Sequence, residues 1–156
     1  MKSRNTSIYR IKSINSGFSL LEVMIALFVL SIGLLGLAAL QSVALKSNHS
    51  AYHRSQATFL AYDIMDRMRA NKNAAKAGNY NVEMGANPSG SGSLAANDVS
   101  DWVNNHVAQL LPAGDGSINC DNQGMCLVIV QWDESRAGGT ATGGDDTAEF
   151  ELEAEI

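Results

Sequence analysis

Cysteine, proline, aromatics and charge are all scarce in this 156-residue chain: two Cys, two Pro, 6% aromatic and 17% charged residues, against 46% hydrophobic. The length excludes a large multidomain enzyme and suits one domain or little more. Without a C-x-x-C pair a redox role is not expected, and two thiols with distant histidines do not make a zinc site. Basic charge is scarcest where a nucleic-acid footprint would need it. Lys2, Arg4, Arg10 and Lys12 fall in the first 17 residues with no acid, which leaves seven basic and sixteen acidic residues in the other 139. Direct nucleic-acid binding is therefore not expected. A basic N-terminus ahead of an acidic body fits export, because positive charge is retained on the cytoplasmic side while the rest crosses.

What is abundant is an apolar run. Val23 to Leu40 is 18 residues without a charge, and at about 1.5 Å per residue its helix spans about 27 Å, close to the roughly 30 Å bilayer core. A cleaved secretory signal is the rival, but its apolar core is shorter, follows its basic region closely and carries no acid at its head. Here Glu22 stands at the start of the run. A carboxylate at the edge of hydrocarbon costs of order a few kcal/mol unless it is paired or snorkels to the interface. Lys12 is ten positions back and Lys46 lies beyond the far end of the run. The partner is expected from another molecule, or from a new α-amino group made by proteolysis.

The basic leader, then Gly17-Phe18-Ser19-Leu20-Leu21-Glu22, then the apolar stretch resembles the class III signal of type IV pilins and type II secretion pseudopilins. The resemblance implies that a prepilin peptidase cuts between Gly17 and Phe18 and N-methylates Phe18, and that Glu22 is the assembly acid. In a filament core with little water, Glu22 would pair with the amine of a neighbouring subunit and set axial register. Ala26, Ser31, Gly33, Gly36, Ala38 and Ala39 would allow close helix approach. Gly33 and Gly36 each lower helix propensity by about 1 kcal/mol against Ala, so the segment could lengthen or unwind in a filament.

Past Leu40 the sequence turns polar without a proline, so the helix is expected to continue as an amphipathic extension over 46–77, after a membrane and filament-core part over 18–45. Tyr52, Phe59, Leu60, Ile64 and Met68 form a stripe to lie on a sheet, with Met65 as further core filler. Asp63 and Arg67 make an i,i+4 pair, and Gly78 is the stop signal. His49 and His53 have metal-ligand spacing, but Ser50 stands where a zincin needs Glu and no third ligand follows. They are read as polar-face histidines, with no metal and no cofactor. The run from Asp63 to Asn71, with Asp66-Arg67-Met68-Arg69-Ala70, resembles the PilV group of minor pilins.

Residues 78–97 read as a surface loop and 98–111 as a short amphipathic helix burying Trp102, Val103, Val107, Leu110 and Leu111, stopped by Pro112. Cys120 and Cys126 are expected to form a disulfide in an oxidising compartment. Leu127 to Asp133 reads as a buried strand. The closing stretch alternates, with Phe150, Leu152, Ala154 and Ile156 inward and four glutamates outward. That glutamate row reads as a solvated edge, or alternatively as an acidic docking surface for a basic partner. Short strands are also expected near Tyr80–Met84 and Ser117–Asn119. The fold expected is α+β and pilin-like: a cleaved leader 1–17, a long N-terminal helix, and a head 78–156 built on a small antiparallel sheet.

No catalytic constellation is present in this pattern, so no catalytic residues and no enzyme activity are expected. The resemblance implies a minor pilin that primes type IV pilus assembly and forms part of the tip complex. Its partners would be the prepilin peptidase, other minor pilins, the major pilin and a tip adhesin. It would reside in the inner membrane with a periplasmic head, then at the pilus tip on the cell surface. Two alternatives stand beside it: a type II secretion minor pseudopilin, and a signal-anchored periplasmic binding module.

Overall fold

The structure, a computed structural model, describes residues 17–135 and 146–156. The basic leader and most of the Gly-rich link between Glu134 and Thr147 lie outside the described residues. The chain divides into two compact units, Met1–Gln41 and Ser42–Ile156.

In the first unit the described chain is helical from Leu20, the start of α1 (Leu20–Ala70, 51 residues). The helix is long and apolar enough to cross a membrane, with a window of mean hydropathy 2.7. It is continuous through Gly33 and Gly36. Ser31 would otherwise carry an unsatisfied hydroxyl into hydrocarbon, but its Oγ donates back to the Leu27 carbonyl at 2.7 Å.

In the second unit the remainder of α1 carries one wall of the core. Ala57, Leu60, Ala61, Ile64, Met65 and Met68 are buried, as the 3.6-residue period requires of a single face. Tyr52 and Phe59 do not join them, contrary to the sequence expectation: they are 55% and 73% exposed. Phe59 lies about 100° around the helix from Leu60. The core stripe instead uses Ala57 and Ala61, both fully buried, whose small side chains let the helix backbone sit close to its neighbours.

The helix also stops earlier than Gly78 suggested. Asn71 leaves the helical region at φ −124°, ψ 48°, and a separate short α2 (Lys72–Lys76) follows. Asn71 can do this because its carbonyl still accepts from Ala74 and Ala75 while its side chain reaches the Tyr80 hydroxyl at 3.3 Å. Gly78, at φ +75°, closes α2: Gly78 N–H donates to Ala75 O and Asn79 N–H to Ala74 O, the paired bonds of a Schellman end.

The second helical stretch begins before Asp98. Ser93 accepts from the Ala96 N–H at 3.1 Å and caps α3 (Leu94–Asp101), so residues 94–97 belong to the helix and not to the loop. A π-helical segment (Trp102–Val107) and a last turn, α4 (Ala108–Leu110), follow. The wider i→i+5 spacing brings Trp102 and Val107 onto one face. It also shifts the phase at the end: Leu111 is buried, whereas Leu110, expected inside, is 48% exposed. Leu111 is already extended, as the residue before Pro112 should be.

The sheet has three strands, β1 (Asp115–Cys120), β2 (Met125–Asp133) and β3 (Thr147–Glu155), in the order β1-β2-β3 and antiparallel throughout. The expected strand at 80–84 reduces to one bridge, Val82 to Ile118. Ile118, Val128, Val130 and Trp132 are buried toward the helices, with Phe150, Leu152 and Ala154 packed against them. Glu149, Glu151, Glu153 and Glu155 face outward, as their alternation predicts. Cys120 pairs directly with Cys126 across the turn and the two form the disulfide. This is the α+β arrangement expected: a long N-terminal apolar helix packed on a small antiparallel sheet.

Candidate functional site

The residues expected from the sequence to carry chemistry at the N-terminal end are Gly17, Phe18 and Glu22. Gly17 and Phe18 precede the helix, both exposed, Phe18 at 84%. Ser19 begins the helix: its Oγ accepts the Leu21 N–H at 3.3 Å and its carbonyl accepts from Glu22 and Val23. Those bonds satisfy donors that a helix start leaves open.

Glu22 falls in the first turn of α1, where the positive end of the helix dipole favours a carboxylate. No ion pair involving it occurs among the described residues. It shares a shallow, open concavity of about 360 Å³ with Phe18, Val23, Ala26, Leu27 and Leu30. Every described residue from Gly17 to His49 is exposed. So large an apolar surface demands cover by lipid or by other protein.

In the head, Arg67 stands at the centre of a charged cluster that ties α1 to α3 and the π segment. It pairs with Asp63 at 3.0 Å, Asp101 at 3.1 Å and Asp98 at 3.8 Å, and its Nη2 lies 3.4 Å from His106 Nδ1. Partial burial works against the Arg67 charge, but the hydrogen bond to Asp101 and the nearby Asp63 outweigh it and raise its pKa. Asp101 is held below the ordinary carboxylate range by the Asn105 amide first and by Arg67 second. Tyr80 is pushed up by burial and by its hydrogen bond to Asp98 at 2.8 Å. The Asp63–Arg67 pair was legible as i,i+4; Asp98 and Asp101, 31 and 34 residues further on than Arg67, were not.

His49 is exposed and His53 half-buried, with ring centroids 6.2 Å apart. No group of three or more His, Cys, Asp or Glu able to hold a metal occurs among the described residues. Two features escaped the sequence. Ser50 on α1 donates to Glu134 just past β2, and Asp121 gathers three backbone N–H groups, from Gln123, Gly124 and Met125, into the disulfide loop. These bonds, Met125's foremost, lower the Asp121 pKa. An Asx residue just inside a short Cys-to-Cys loop was the available signal for the second.

Residues 12–38 match the family model described as Prokaryotic N-terminal methylation motif, and residues 39–99 match the one described as Type IV pilin Tt1218. No curated protein and no solved structure matches the chain. The methylation motif covers Gly17, Phe18 and Glu22, and the pilin segment runs from within α1, across its buried half, into α3 as far as Val99. Together they support a pilin that is processed by a prepilin peptidase, anchored through its apolar helix and assembled with other pilins.

Proposed function

We propose, on the premise that this chain carries a prepilin methylation motif joined to a type IV pilin segment, that it is a minor pilin of the PilV kind and not a major pilus subunit. Its role is structural and not catalytic: it primes assembly and forms part of the tip complex, where a tip adhesin is a partner. The observation that supports this is the position of Glu22 in the first turn of α1. A carboxylate with no ion pair among the described residues sits at the head of an apolar helix whose described residues are exposed as far as His49, ahead of a head with its own core. A subunit so built is stable as a stored membrane protein and completes its charge pairing only beside another subunit. The small head is a three-stranded sheet packed on the buried half of α1 and on the second helical stretch.

The test is to delete the gene and count pili, then to quantify the protein in sheared pili by mass spectrometry. Loss of pili together with a trace amount in the shear fraction is the expected result. Abundance equal to the main filament protein would make it a major pilin. Intact pili with lost exoprotein secretion would make it a secretion pseudopilin, the alternative that shares Gly17 to Glu22.

A further inference from the structure

The outward face of the sheet carries a groove of about 500 Å³, with Leu127 and Ile129 of β2 in its lining together with Val82 and Met84 from the segment beside β1. It is built and held. Val82 and Ile118 exchange both backbone hydrogen bonds, at 3.0 and 2.9 Å. The Asn81 side chain bonds the Cys120 backbone through both its atoms, and Asp115 accepts from the Gly85 N–H. The segment from Asn81 to Gly85 is thus a fixed wall, which lowers the ordering cost of anything that binds against it.

Carboxylates flank this apolar floor on both sides. Glu83 belongs to the wall. On the opposite side Glu151 stands directly across from Ile129, and Glu153 across from Leu127, on the same face of the sheet. The described cations of this unit all belong to α1 and α2, and none pairs with Glu83, Glu151 or Glu153. Like charges at alternate positions of one strand repel, and nothing in the described fold relieves them. An incoming cation would.

We infer that this groove docks a basic segment of another protein subunit, with an apolar side chain seated on Leu127 and Ile129 and Lys or Arg on either side reaching Glu83 and Glu151–Glu153. The apolar floor supplies burial and the carboxylates supply orientation, encounter rate and rejection of acidic partners. That the partner is another subunit rests on the pilin reading. The binding itself does not, and its test below stands whether or not Gly17 is processed.

The experiment uses the full chain in detergent micelles and two fluorescent peptides, Arg-Lys-Leu-Lys-Ile-Arg and Glu-Glu-Leu-Glu-Ile-Glu, with photo-leucine as the central residue. The basic peptide is expected to bind and to cross-link to residues 82–84 or 127–129. Glu151→Lys with Glu153→Lys should weaken it by about tenfold or more and give binding to the acidic peptide instead. Asp66→Lys, a reversal on the exposed side of α1, should change neither. Weakening by Asp66→Lys equal to that of the double reversal, or cross-links spread over α1, would show attraction to net charge alone and overturn the inference. So would concentration-dependent dimers in ultracentrifugation that the double reversal abolishes, since the occupant would then be a second copy of this chain.

Discussion

Trp102 Nε1 donates to the Leu60 carbonyl at 2.8 Å, with both residues in the core, so a side chain of the π segment is fastened to the backbone of α1. The bond runs between residues 42 apart in sequence, and it fixes how the second helical stretch lies on the first. Trp132, equally buried, has no hydrogen-bond partner for its Nε1 among the described residues. The two tryptophans should respond differently to the same change. Trp102→Phe is expected to cost about 1 kcal/mol more than Trp132→Phe, because only the first leaves a bond unmade; urea melts of the two variants measure the difference.

Gly116 is a second control on the same contact. A Cβ there would stand 2.5 Å from one ring carbon of Trp102 and 2.7 Å from another. Gly116→Ala should therefore destabilise the head by about 1–3 kcal/mol through overpacking. The shift should appear in the near-ultraviolet circular dichroism of the tryptophan as well as in the melting curve.

The Cys120–Cys126 bridge closes a short loop that Asp121 already organises. Replacing both cysteines by serine is expected to lower stability by roughly 2.4 kcal/mol in the chain-entropy account, without loss of fold. Guanidinium melts of the variant give the value, and thiol titration of the intact protein should find no free sulfhydryl.

Acid should lower the stability of the head in a defined window. Asp101 and Asp121 both lie below their ordinary value of 3.8 in the folded state. A depressed folded pKa gives stability that is fully present above the unfolded value and is lost as pH falls through the folded one. Melting temperature should be flat down to about pH 5 and fall below about pH 4. Tyr80 has the opposite sense: its pKa is raised above 10.0, so its contribution is complete below that value and lost as pH rises past it. Asp101→Asn should shallow the acid limb of a melting-temperature profile; an unchanged limb would assign the acid sensitivity elsewhere.

Much of this was legible in the sequence, for reasons that can be named. The methylation motif, the apolar run and the alternating last strand are local patterns with periods of their own, and each is where it was expected. The misplaced elements depend on contacts between distant segments. Tyr52 and Phe59 read as core by spacing, yet the sheet selects the Ala57–Ala61 side because alanines admit closer approach. The break at Asn71 is stabilised by Tyr80, and the shift of the second helix to Leu94 by the Ser93 cap. The π segment, which places Leu110 outside, leaves no mark on hydrophobic periodicity. At the N-terminal end Glu22 could be singled out from a cost argument alone, because hydrocarbon does not tolerate an unpaired carboxylate. The Arg67 cluster needed the folded chain, since its acids come from two helices.

Glu22→Val separates processing from assembly. The proposed peptidase site at Gly17 and Phe18 is left intact, so the variant should be cleaved and held in the membrane, yet be missing from sheared pili. Normal incorporation would remove the charge-pairing account of Glu22.

The central claim is tested most directly by the mass and N-terminal residue of the protein purified from membranes, with and without the prepilin peptidase of the host. The account predicts N-methyl-Phe18 at the N-terminus when the peptidase is present and the uncut leader when it is absent. An intact Met1 in both preparations, or a cut after Ala38 or Ala39, would contradict it and leave an anchored or secreted binding module in its place.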